Sequence, residues 1–127
     1  MDKQEIFDHV WNELHKQKIP ARDLKGLCKY RVVHNESGVM LKCAAGHLIP
    51  DELYNKNMEG RGITELVKAS IDFPYNFPEY FKDNLGLISD LQVAHDEIMS
   101  DSIAFWHEEM IGIAREHDLK VPEVPVC

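Results

Sequence analysis

Apolar residues recur at helical spacing over residues 2–17, where Ile6, Phe7, Val10, Trp11 and Leu14 share one face. Asp2 and Glu5 stand three apart at the start, in capping-box positions. Ile19-Pro20 closes the element. This predicts an amphipathic helix with His9 opposite the apolar face and His15 on its flank, both toward solvent. The period then shortens to two. CKYRVV, HNESG and VMLKC, residues 28–43, predict a β-hairpin. Its expected register sets Val32 against Val39, Tyr30 against Leu41 and Cys28 against Cys43, with His34 to Ser37 as the loop and Gly38 closing it.

After Cys43 the pattern changes again. Ala44-Ala45-Gly46 is too small and permissive for more strand and predicts one or two helical turns, broken at Pro50. Pro50-Asp51-Glu52 reads as another helical start, with proline first and acids in the first turn. NKNMEGRG is a loop, and residues 63–70 predict a short helix on Ile63, Leu66 and Val67. IDFPYNFPEYF reads as an aromatic, proline-punctuated connection, ordered because so much aromatic surface is costly to leave in water.

Residues 84–99 predict a second long helix with Ile88, Leu91, His95, Ile98 and Met99 inward. The SDS at 100–102 caps a last helix to about His117, with Ile103, Trp106, Met110, Ile113 and Ala114 inward and Phe105 on the polar side. The expected fold class is α+β. It is a small single domain over 1–120, one antiparallel β-hairpin among four to five α-helices, with a Pro-punctuated C-terminal tail at 121–127. No internal repeat breaks this organisation.

Composition narrows the function. A chain of 127 residues, 44% hydrophobic, supports one modest core. It has no apolar run near the roughly 18–20 residues that span a bilayer, and its charged, periodic start is no secretory signal. A soluble, cytoplasmic protein with no membrane partner is expected, in the host-cell cytoplasm if the source is viral. The net charge of −8, with 14 scattered basic residues, argues against nonspecific nucleic-acid binding. Mimicry of nucleic acid would need clustered acids, and these are dispersed. Cys28, Cys43 and Cys127 are odd in number and far apart, which argues against a disulfide framework, and the Pro-Val-Cys end offers no prenylation box.

CKYR, GVMLKCAAGHLIPDELYNKNMEG, LISDLQVAHDE and IAREHDL together resemble a family of small, largely uncharacterised proteins of bacteriophages and bacteria. The shared pattern runs Lys-Cys-Ala-x-Gly-x-Leu-Ile-Pro-Asp-Glu-x-Tyr, then Met-Glu-Gly, then Leu-Gln-x-x-His-Asp, and covers roughly residues 28–119. Members of that family often carry a second cysteine where this chain has His47. The resemblance implies no established activity. It implies a viral or mobile-element setting, in which small acidic proteins antagonise host enzymes or defence systems.

Three chemistries compete at the central motif. Cys28, Cys43, His47 and His95 supply the four borderline ligands of a zinc corner, although the usual C-x₂-C knuckle is missing. Otherwise no cofactor is expected. Cys43 at a helix start with His95 as base would make a nucleophile pair and a Cys/His-dependent hydrolase. Asp96, the next residue in a helix, points about 100° away from His95 and is not expected to orient it. Third, Tyr30, Arg31, Cys43, His47, Asp51, Glu52, Tyr54, Glu59, Gln92, His95 and Asp96 would line a polar pocket, with Arg31 as a phosphate fork. The competing structural reading makes the same acids helix caps, Arg31 their partner, and His95 a core residue bonded to backbone.

The weight falls on a non-enzymatic binding protein that inhibits or sequesters a host component. A host protein is favoured over a small nucleotide-type ligand. The aromatic run from Phe73 to Phe81, together with Phe105, is the expected surface for a partner or a homodimer.

Overall fold

The first helix begins where the capping box puts it. In the computed structural model, which describes residues 1–68, 76–99 and 101–125, the Asp2 carboxylate accepts from Glu5 N–H and the Glu5 carboxylate accepts from Asp2 N–H. Helix α1 (Lys3–Gln17) buries Ile6, Phe7, Val10, Trp11 and Leu14. It ends at Lys18, whose N–H makes the last helical bond, to the Leu14 carbonyl, and whose positive φ of 66° then turns the chain out of the helix.

His15 departs from the sequence expectation. It is buried, with Nδ1–H donating to the Trp11 carbonyl at 2.7 Å and Nε2 lying 2.9 Å from His107 Nδ1. Two tryptophan rings cause this: Trp11 and Trp106 lie 4.3 and 4.7 Å from the imidazole and close over the helix flank. His9 is half-buried, and its Nε2–H donates to the His47 carbonyl.

The hairpin forms as β1 (Arg31–Val33) and β2 (Met40–Lys42), antiparallel, in a register that corrects the expected one. Val32 faces Leu41 and Val33 faces Met40. Cys28 therefore does not oppose Cys43; instead Cys43 N–H donates to the Tyr30 carbonyl. The loop keeps its length but moves from the expected 34–37 to 35–38, closed by His34 N–H to the Val39 carbonyl, with Gly38 at φ 73°. A slip of two leaves every side chain on its own face, so Tyr30, Leu41 and Cys43 still point into the core and the period-two pattern cannot distinguish the registers.

Cys43 caps α2 (Ala44–Leu48), a short helix wedged between α1 and a later helix over Leu85–Val93. A single 3₁₀ turn at Lys56–Met58 and α3 (Ile63–Val67) follow. Part of the expected aromatic connection is a helix, α4 (Glu79–Asp83); residues 71–75 of that region lie outside the described residues. Phe77 and Phe81 are buried, and Tyr80 O–H donates to the Leu48 carbonyl at 2.6 Å. Phe77, Tyr80 and Phe81 thus belong to the core, which corrects their expected role as a partner surface, whereas Phe73 lies outside the described residues and Phe105 is exposed. Helix α5 (Leu85–Val93) runs without a break into a π-helical segment, Ala94–Met99. Ser102 caps α6 (Ile103–Glu116), which packs along that segment. The last described residues lie on α1, where Trp11 Nε1–H donates to the Glu123 carbonyl and Gln4 exchanges two bonds with the Lys120 backbone. No helix among the described residues is long and apolar enough to cross a membrane.

Candidate functional site

The central motif is a strand-to-helix corner held by side chains. Leaving β2, the chain enters α2 with unpaired N–H groups at its first turn. Cys43 Sγ accepts from Gly46 N–H at 3.2 Å, and Gln92 Oε1, from α5, accepts from Ala45 N–H at 2.8 Å. Gly46 passes so close to β1 that an added Cβ would lie 2.1 Å from the Tyr30 carbonyl oxygen. The glycine is therefore required by contact with backbone. Gln17, which the sequence pattern does not mark, clamps the outer edge of β2. Its amide oxygen accepts from Lys42 N–H, its nitrogen donates to the Lys42 carbonyl, and His47 Nε2–H donates to the same amide oxygen.

A second clamp lies on the opposite edge. The Glu59 carboxylate accepts from Tyr30 N–H at 2.8 Å, from Arg31 N–H at 3.2 Å and from Tyr54 O–H at 2.7 Å. Burial and this carboxylate together raise the Tyr54 phenol well above its ordinary value. Arg31 is occupied as well. It pairs with Asp51 at 2.8 Å, donates to the Ile49 carbonyl and stacks 4.7 Å over the Tyr54 ring. The phosphate fork expected of Arg31 is thus already bound to the protein itself. Glu52 is exposed on the turn, outside this network.

The four zinc candidates do not converge. Cys28 and His95 come together with Asp96, their ligand atoms within 4.8 Å of one another, while Cys43 and His47 are engaged at the corner. Hydrogen bonding also fixes the His95 ring. Ala21 N–H donates to Nε2 at 3.0 Å, so Nε2 carries no proton and the neutral ring holds it on Nδ1. Nδ1–H donates to Asp96 Oδ1 at 2.7 Å. A metal at Nδ1 would move the proton to Nε2, against the Ala21 N–H. Asp96 does reach His95, contrary to the α-helical expectation, because both lie in the π-helical segment. Its wider turn reduces the angle between neighbouring side chains.

Both members of the expected nucleophile pair are buried. Cys43 is fully buried, its sulfur is occupied by Gly46 N–H, and burial pushes its thiol far above the ordinary range. His95 is also fully buried, with both ring nitrogens bonded. Burial raises the Cys28 thiol to about 11, and Asp96 adds to this. A stable thiolate is disfavoured at both positions.

Of the expected pocket residues, Tyr30, Glu59, Gln92 and Asp96 do line one cavity with Cys28, of about 190 Å³. Arg31, Cys43, His47, Asp51, Glu52, Tyr54 and His95 do not line it. A larger groove, about 650 Å³, lies elsewhere, between the 22–29 loop and β1. Leu24, Leu27 and Val33 on its walls are 86%, 58% and 57% exposed. The sequence carried a signal for it: two leucines within the polar turn ARDLKGLCK. No family model, curated protein or solved structure matches the chain.

Proposed function

We propose that the chain is a non-enzymatic binding protein, of phage or mobile-element type, that contacts a host protein through the groove between the 22–29 loop and β1. One observation carries this reading. The side chains capable of chemistry spend their bonds inside the fold, while exposed leucine and valine gather at one open groove. Exposed apolar surface that the fold does not bury marks a contact site.

A small-ligand reading is favoured by the cavity beside Tyr30, Glu59, Gln92 and Asp96. Its volume favours a ligand smaller than a nucleotide. Pockets for such ligands run about 300–1,000 Å³, and about 190 Å³ holds only a small polar group. A photo-cross-linking residue placed at the exposed Leu24, in the cells that make the protein, tests the main reading. The expected product is a discrete adduct heavier by one polypeptide. Adducts from a probe at the exposed Phe105, with none from Leu24, would put the contact surface elsewhere.

A further inference from the structure

The same groove shows what kind of segment it suits. We infer that its occupant is an extended, acidic peptide segment of the partner, alternating apolar and acidic residues, that pairs with the open edge of β1. This rests on the binding-protein reading above and adds the partner's chemistry.

The strand edge comes first. His34 N–H to the Val39 carbonyl and Cys43 N–H to the Tyr30 carbonyl mark the hydrogen-bonded pairs of the ladder. Val33 opposite Met40 falls between them, in the class whose N–H and C=O turn away from the partner strand. Much of the rest of the hairpin's outer edge is engaged, Met40 on β2 excepted. Glu59 takes the N–H groups of Tyr30 and Arg31 on β1, and Gln17 takes both backbone groups of Lys42 on β2. On β1 the edge stays open at Val33, which lines the groove. An incoming strand that bonds there also places alternate side chains against Leu24, Leu27 and Val33.

Charge sets the sign. Arg22, Lys25 and Lys29 line the groove against Asp23 and Glu36. The Asp23 carboxylate already accepts from Lys25 N–H and Leu27 N–H and lies 3.8 Å from Lys29. A groove whose cations outnumber its anions, in a chain of net charge −8, favours an acidic segment and disfavours a basic one.

Selection from a displayed random-peptide library tests this. The folded protein is the bait, and Leu24→Asp/Leu27→Asp is the counter-selection. Thermal unfolding of the variant checks that these exposed positions leave the fold intact. The expected result is enrichment of acidic sequences with alternating apolar residues. Their affinity should fall at least about tenfold in Lys25→Glu/Lys29→Glu and on N-methylation of the peptide backbone. Groove-dependent peptides that are basic, or that bind equally well when N-methylated, would overturn the inference and leave the protein-binding reading standing. Absence of any peptide that depends on Leu24 and Leu27 would overturn the inference, and with an empty cross-link at Leu24 it would overturn both.

Discussion

At the scale of single residues, the motif that looks most chemical is occupied with folding. Cys43 is a helix cap buried under α5, so its thiol should be inert in the native protein. In a Cys28→Ser/Cys127→Ser variant, a thiol reagent should modify Cys43 only as fast as the protein unfolds. Rapid modification at native conditions would restore the hydrolase reading. Glu59 holds three donors at once. Glu59→Gln turns one acceptor oxygen into a donor facing a donor, and chemical denaturation should show a loss of about 1–3 kcal/mol. His47 gives a pH signature. Burial first, then nearby Lys42, lower its folded pKa from 6.5 to about 3. A depressed folded pKa means the unfolded chain takes up the proton first. The associated stability is present above pH 6.5 and is lost as pH falls toward 3. The loss is on the order of 5 kcal/mol over that range, and His47→Gln should flatten the curve between neutral pH and pH 4.5.

At the scale of elements, much of the organisation was legible and the misses have physical causes. Caps at Asp2 and Ser102 and the apolar faces of α1 and α6 are local signals, and they hold except at Ile103, which is exposed at the first turn of α6. The hairpin was legible, its register was not, because a two-residue slip preserves which side chains face the core. His15 was misplaced because its cover, Trp106, comes from ninety-one positions away in sequence. The His95–Asp96 contact depends on a π-helical segment that no periodicity announces. The candidate site residues do not gather in one pocket: His47 joins a Gln17-centred clamp and Tyr30, Arg31 and Tyr54 a Glu59-centred one, which only the fold brings together. The corner makes one sharp forecast. Gly46→Ala sets a Cβ against backbone, not against a flexible side chain, so it should cost about 3 kcal/mol or more. Calorimetry should show a large drop in Tm, whereas Gly86→Ala, with open space around it, should show little change.

At the scale of the whole molecule, Glu59 and Gln17 occupy parts of the hairpin's two edges, and the stretch of β1 at Val33 stays open beside exposed leucines. Edges are ordinarily blunted because they invite pairing with other chains. An edge left open beside a groove is where pairing is to be expected. Native mass spectrometry of the protein purified from the cells that make it tests this most directly, with wild type and Leu24→Asp/Leu27→Asp run side by side. The account expects a wild-type complex with a second polypeptide, absent in the variant at unchanged thermal stability. A small non-covalent mass retained equally by both proteins, with no polypeptide bound, would contradict it and return the function to the cavity beside Glu59 and Asp96.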